Sequence, residues 1–187
     1  IRDSGCIVRH GYLAHSWGNI SQRGDVASAC KPWYTHFLFR AVEDGLLDSL
    51  DTPAMDFEPE LANINAGLEY KDSQITFRFM ANQTSCYGVS EKPGTAFDYN
   101  DWQMALFFDT LFLGVHGQTL GTVDTQVLRP QLTDILQCQD NPTFLAFGSG
   151  DRAGRLAVSP RDFARFGLLY LSAGQWKGFQ IRTEAHA

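Results

Sequence analysis

No run of basic residues longer than two occurs in this chain of 187 residues, and its 15 Lys and Arg are outweighed by 21 Asp and Glu, for a formal charge of −6. A protein that grips phosphate backbones carries a basic patch or stripe, so nucleic acid is not the expected partner. Long apolar runs are missing too. The longest candidate, 105–115, is broken by Asp109 and Thr110 and falls short of the roughly 18 residues that a membrane helix needs. The four cysteines, Cys6, Cys30, Cys86 and Cys138, form no CxxC pair and no zinc-type spacing with histidine, so no metal is expected. An even count allows two disulfides, but a chain of this size does not depend on them, and buried free thiols are the expectation. His10, His15, His36, His116 and His186 form no HExxH, and structural roles are expected for them. Residues 1–4 hold no apolar run of signal-peptide type, and the first residue is Ile. The chain reads either as one whose leader was removed or as one that begins partway into a longer protein. No internal repeat or low-complexity segment is present.

Hydrophobic residues make up 44% of the chain and charged residues 19%, the composition of a globular domain. The first 20 residues read as strand, turn, strand: Cys6-Ile7-Val8, the turn His10-Gly11, then 12–17 ending at Gly18. Asp25 is a good N-cap for a helix from Val26, whose apolar residues Trp33, Phe37 and Ala41 recur at three-and-four spacing. Residues 48–98 are punctuated by Pro and Gly and read as loops, with 75–80 as a short helix or strand. Residues 102–115 read as a buried helix. Ser159-Pro160-Arg161-Asp162 opens the last helix, with Ser159 as N-cap, Pro160 at the first position and an acid in the first turn. The glycine-rich run 148–154 follows no strand–helix unit and is not a phosphate loop. Strands first and helices after them predict an α+β or mixed α/β domain.

Gly24-Asp25-Val26-Ala27-Ser28-Ala29-Cys30-Lys31-Pro32 is the most informative stretch. A serine hydroxyl is a weak nucleophile until a neighbour takes its proton, and a lysine three residues on can do so. Most Ser-x-x-Lys pairs are solvated helix surface, so the pair alone is a weak sign. A second stretch, Pro93-Gly94-Thr95-Ala96-Phe97-Asp98-Tyr99-Asn100-Asp101-Trp102, is a turn before a helix. Tyr99 and Asp101 could project from it into a cleft, and a tyrosine near a lysine can act as a base. The plainer alternative is that Asp98 or Asn100 caps the helix and Tyr99 packs.

Taken with residues 155–169, these stretches resemble the serine β-lactamase-related family, which includes class C β-lactamases, D-Ala-D-Ala carboxypeptidases and serine esterases. Ile7-Val8-Arg9-His10-Gly11 resembles its N-terminal strand and turn, and Phe79-Met80-Ala81-Asn82-Gln83-Thr84-Ser85 sits where that family has a leucine-threonine-histidine-threonine-serine-like stretch. The resemblance runs from about Ile7 to Ile181. It implies an antiparallel sheet flanked by a helical subdomain, with Ser28 as the acylated nucleophile, Lys31 as its base or proton shuttle and Tyr99 as a second proton carrier. It implies no cofactor, and a small-molecule ester, β-lactam or D-peptide as substrate. A periplasmic or secreted location is what the family favours.

Two departures stand out. Asp101 occupies the place of the asparagine in the family's Tyr-x-Asn. Ionised aspartate only accepts hydrogen bonds, where asparagine also donates; Asn100 would substitute only if the turn were shifted. Both residues are carried as candidate substrate-binding groups. The family's third motif, a Lys-Thr-Gly or His-x-Gly type triplet on a later strand, has no counterpart after Gly178. The expectation is therefore a single domain over 1–187 that lacks its C-terminal strands. Such a chain is either part of a longer enzyme or one that completes its sheet with a second copy or a complementing C-terminal chain. The expected activity is acyl transfer, with esterase as first choice; the alternative is a catalytically silent binding module on the same scaffold.

Overall fold

The computed structural model describes residues 3–146 and 153–183. Its first element is the expected hairpin, with β1 over Gly5–Arg9 and β2 over Tyr12–Trp17. The two linking residues, His10 and Gly11, both take positive φ, 51° and 80°, the turn whose twist matches a two-residue hairpin. Gly5 is required where it stands, because a Cβ there would fall 2.3 Å from the Trp17 ring. All six residues of β2 are exposed, and Ile7, Tyr12, Leu13 and Trp17 leave an apolar surface open.

Contacts divide the chain into two units. The first, called the sheet unit, comprises 1–30, 124–145 and 155–187. Besides the hairpin it holds β3 (Gly24–Asp25), β4 (Thr143–Ala146) and β5 (Ala153–Val158), in the order β3-β5-β4. β3 and β5 are antiparallel, with Gly24 opposite Val158 and Asp25 opposite Ala157. A wide π-type helix over Asp124–Thr133 comes before β4. The last helix of this unit, Pro160–Leu171, is capped as its sequence leads one to expect: the Ser159 hydroxyl accepts from the Asp162 N–H at 3.3 Å. A short hairpin, β6 (Gln175–Trp176) with β7 (Phe179–Gln180), closes it.

The second, helical unit comprises 31–123 and 146–154. It contains α1 (Lys31–Glu43), α2 (Phe77–Ala81) and α3 (Asp101–Phe108); Pro160–Leu171 of the sheet unit is then α4. The segment read as helix or strand at 75–80 is therefore helix, started by the Thr76 hydroxyl, which accepts from the Phe79 N–H. α3 runs on into a π-type turn over Asp109–Val115. Tyr34 and Phe37 of α1 meet Phe107, Phe108 and Phe112 at ring-centroid distances of 5.3 to 6.1 Å, so aromatic pairing makes this core. A buried ion pair, Lys71 to Asp72 at 2.6 Å, lies in the loops; the same ammonium donates to the Cys86 carbonyl at 2.9 Å, and Asn65 donates to Asp72.

The structure corrects one helix boundary. The helix expected from Val26 starts only at Lys31, after a single 3-10 turn over Ala27–Cys30. Ala27 sits at φ 47°, a left-handed conformation that no α-helix accepts. Pro32 then falls into the first helical turn, where its missing N–H costs nothing. None of the four cysteines is in a disulfide; Cys30 and Cys86 are buried, Cys6 and Cys138 half-buried. Among the described residues no helix is long and apolar enough to cross a membrane, and no cluster of three His, Cys, Asp or Glu is arranged to hold a metal. Gly148–Arg152, the main part of the glycine-rich run, and His186 lie outside the described residues.

Candidate active site

The segment 83–103 of the helical unit is fixed by hydrogen bonds whose donors and acceptors are nearly all backbone on one side. The Asp98 N–H donates to the Gln83 carbonyl at 2.9 Å, and the Gly94 N–H to the Thr84 carbonyl at 2.7 Å. Gln103 is fully buried. Its amide donates to the Met80 carbonyl at 3.2 Å and accepts from the Ser85 hydroxyl, and Ser85 in turn accepts the Tyr87 N–H at 3.3 Å. Asn100 is the N-cap of α3. Its side-chain oxygen accepts from the Gln103 N–H at 2.8 Å, while its NH₂ donates to the Tyr87 carbonyl at 3.0 Å and to Asp98. Of the plainer alternative the cap is observed, at Asn100, but Tyr99 is not packed away. Both ends of the Asn100 amide are engaged, so the shifted turn that would free it for substrate is not present.

This framework presents Tyr99. Its hydroxyl receives a hydrogen bond from the Lys31 ammonium at 2.9 Å, and the same nitrogen lies 4.3 Å from the ring centroid. Two of the residues picked from sequence, 68 positions apart, are thus brought together. The pair is half-exposed, with Tyr99 at 51%, so small molecules can reach it. An amine and a phenol in hydrogen-bond contact can pass a proton along that bond. Asp101 is the first residue of α3. It is exposed, and among the described residues its carboxylate has no hydrogen bond or ion pair.

Ser28 belongs to the sheet unit, in the 3-10 turn Ala27–Cys30, and is exposed. The turn is held by β3 and β5. The Val26 N–H donates to the Leu156 carbonyl at 3.0 Å. One oxygen of Asp25 accepts the Ala27 N–H at 2.7 Å, and the other pairs with Arg155 at 2.8 Å. Partial burial raises the Asp25 carboxyl, but the hydrogen bonds from Arg155 and Ala27 and the Arg155 charge outweigh it and hold it below its ordinary value. Sequence reasoning missed the positive φ of Ala27, directly before Ser28. A left-handed non-glycine residue costs about 1–2 kcal/mol, and no sequence signal announces it. The bonds of Gln103 to Ser85 and Met80 and of Asn100 to Tyr87 were equally invisible, since they join residues brought near by folding, whereas the Asn100 cap is local.

No family model matches the sequence, and no curated protein does. Solved structures match closely in shape. A protein from Bacillus anthracis assigned as a 6-aminohexanoate-dimer hydrolase superposes with a TM-score of 0.78 at 17% identity, over 98% of this chain and 58% of that one. A class C β-lactamase from Rhodobacter sphaeroides gives 0.64 at 17%, over 96% and 62%. A penicillin-binding protein from Bacillus halodurans gives 0.63 at 15%, over 91% and 63%. The chain spans about three fifths of the length of these structures. What they share with it, over nearly all its residues, is the serine β-lactamase and penicillin-binding-protein fold, and that is the fold of this chain.

Proposed function

We propose that this chain is a serine hydrolase acting on an ester or amide through an acyl-enzyme. The observation that carries the reading is the 2.9 Å hydrogen bond between Lys31 and Tyr99, a proton-handling pair whose lysine stands three residues after an exposed serine. In this reading the Ser28 oxygen forms a bond to the substrate carbonyl carbon while its proton passes to the Lys31–Tyr99 pair, which enters the step one proton short, as the free amine or the phenolate. The pair gives that proton to the departing alcohol or amine as the C–O or C–N bond breaks. Water then attacks the Ser28 ester, its proton going to the same pair, and the acid leaves as Ser28 recovers a proton. The chemistry asks for no metal or organic cofactor. The solved structures with this fold include a protein assigned as a 6-aminohexanoate-dimer hydrolase and a class C β-lactamase, which supports the reaction class. A small ester is the favoured substrate, ahead of a β-lactam or a D-amino-acid peptide. An ionised Asp101 cannot donate to a substrate carbonyl, and it repels a carboxylate-bearing β-lactam.

A second reading is a catalytically silent binding module. Asp101 in place of asparagine favours it. Turnover of a short-chain nitrophenyl ester separates the two. The first reading expects turnover that Ser28→Ala abolishes and that Tyr99→Phe lowers by about 10²-fold or more, the scale of a lost general base. Equal turnover by Ser28→Ala removes Ser28 as nucleophile, and no turnover by folded protein supports the silent module.

A further inference from the structure

Resting on that acyl-transfer reading, we propose that Lys71 is a positioning residue for Tyr99: its buried ammonium anchors the segment 83–87 on which the Tyr99 turn is laid. All the groups involved belong to the helical unit. Lys71 is 1% exposed and Asp72 0%. A buried ion pair is a weak source of stability, because apolar residues of similar volume hold a fold as well or better. This pair does something that apolar residues cannot. Beyond its 2.6 Å bond to Asp72, the Lys71 ammonium donates to the Cys86 carbonyl at 2.9 Å, and Asn65 donates to the other oxygen of Asp72. Asp72 thus fixes the lysine, and the lysine fixes a residue 15 positions further on.

Cys86 needs such an anchor. It is fully buried with φ at 52°, a left-handed conformation that a residue other than glycine keeps only where its surroundings impose it. Its carbonyl and the Tyr87 N–H belong to one rigid peptide plane. Lys71 holds the first, and the Ser85 hydroxyl accepts the second at 3.3 Å. The next carbonyl, that of Tyr87, accepts from the Asn100 side chain at 3.0 Å. The turn is laid on the same segment at two earlier backbone points, Gly94 N–H to the Thr84 carbonyl and Asp98 N–H to the Gln83 carbonyl. The Cys86 thiol also lies 3.5 Å from the Ala96 carbonyl. Tyr99 stands between the attachments at 98 and 100. Without Lys71 the peptide plane at 86–87 loses its hold, and the Tyr87 carbonyl that fixes Asn100 moves with it. A shift of about 1 Å at Tyr99 is enough to part its hydroxyl from Lys31, now 2.9 Å away.

The plainer role for the ion pair is to stabilise the loops alone. Replacing a pair of that kind lowers Tm and leaves Tyr99 where it is. Lys71→Met by itself strands the Asp72 carboxylate in the interior and can unfold the chain. The test therefore uses Lys71→Met/Asp72→Asn, which removes both charges and keeps an acceptor for Asn65. Native protein and double variant are labelled with 3-fluorotyrosine, and the Tyr99 fluorine resonance is assigned by its loss in Tyr99→Phe. Lys31→Ala marks where that resonance lies without the ammonium. We expect the double variant, folded by circular dichroism, to carry the Tyr99 resonance away from its native position toward that of Lys31→Ala. In turnover of a short-chain nitrophenyl ester, kcat should fall by about tenfold or more while KM stays within about twofold, the split of a misplaced proton carrier. An unmoved Tyr99 resonance in the folded double variant overturns the proposal, whatever happens to Tm or kcat. A moved resonance in a protein that hydrolyses no ester upholds the anchor, and only the acyl-transfer reading fails.

Discussion

Replacing Asp162 by Ala is the sharpest perturbation of the fold. This carboxylate is fully buried near the start of α4. It accepts the Gln139 N–H at 3.0 Å on each oxygen, the Asp140 N–H at 2.7 Å and a further bond from Arg165. It therefore ties a loop more than 20 residues upstream to the helix. Removing it strands the Asp140 N–H, a bond to a charged acceptor that contributes about 1.5–3 kcal/mol. Gln139 is more exposed, so water replaces part of its bond, and about 1 kcal/mol is lost there. Loss of an acid in the first helical turn adds about 0.3–1 kcal/mol. Arg165, a quarter exposed on its side chain, regains solvent and contributes little. The sum is about 3–5 kcal/mol. For a protein of this length that lowers Tm by roughly 6–20 °C, at about 2–4 °C per kcal/mol. Thermal melts by circular dichroism measure it. Asp162→Leu, which fills the space, should lose nearly as much, and Asp162→Asn, which keeps one acceptor oxygen, about half. A fall under about 2 °C in Asp162→Ala would refute the reasoning, because the stranded N–H groups alone exceed it.

Three further outcomes are expected. Ala27→Val should destabilise by more than about 1 kcal/mol, because a β-branched residue tolerates the left-handed region poorly, while Ala27→Gly should be neutral or slightly stabilising; urea unfolding measures both, and equal stability of all three proteins would contradict the strained turn. Burial, then the charge of Asp162, pushes the Cys138 thiol up to about 12, so iodoacetamide at pH 8 should leave Cys138 unmodified in the native protein and label it after unfolding; rapid native labelling read by peptide mass spectrometry would be the contrary result. The Arg161 hydrogen bond, set against partial burial and aided by Ser159, holds the Asp140 carboxyl below its ordinary value. A lowered carboxyl stabilises the fold above the unfolded pKa and loses that contribution as pH falls through the folded one. The stability gap between native protein and Asp140→Asn should thus be full at pH 7 and close below about pH 4; a gap that widens on acidification would be wrong in sign.

What was legible in the sequence was local. The His10-Gly11 turn, the Ser159-Pro160-Asp162 helix start and the α3 cap each depend on residues within four positions, and each is in the structure. The helix after Asp25 was half legible. Its apolar spacing was sound, but its start was displaced, because a positive φ at Ala27 has no signature in side-chain chemistry. Asp162 was read only as a first-turn acid; its larger role, accepting from 139 and 140, is non-local. The loops at 48–98 hid most. Asn65, Glu69 and Tyr70 take left-handed conformations, and Lys71 is buried against Asp72, neither of which follows from a run of polar residues. Lys31 and Tyr99 were each visible as candidates, and only the resemblance to a family joined them, since nothing in either stretch encodes contact with the other.

The most direct measurement of the central claim is intact mass by denaturing mass spectrometry, before and after exposure to a penicillin or an activated phosphonate. The account expects one adduct per chain, mapped by peptide sequencing to Ser28 and absent in Ser28→Ala. A folded sample that takes no adduct, or takes one equally in Ser28→Ala, would contradict it.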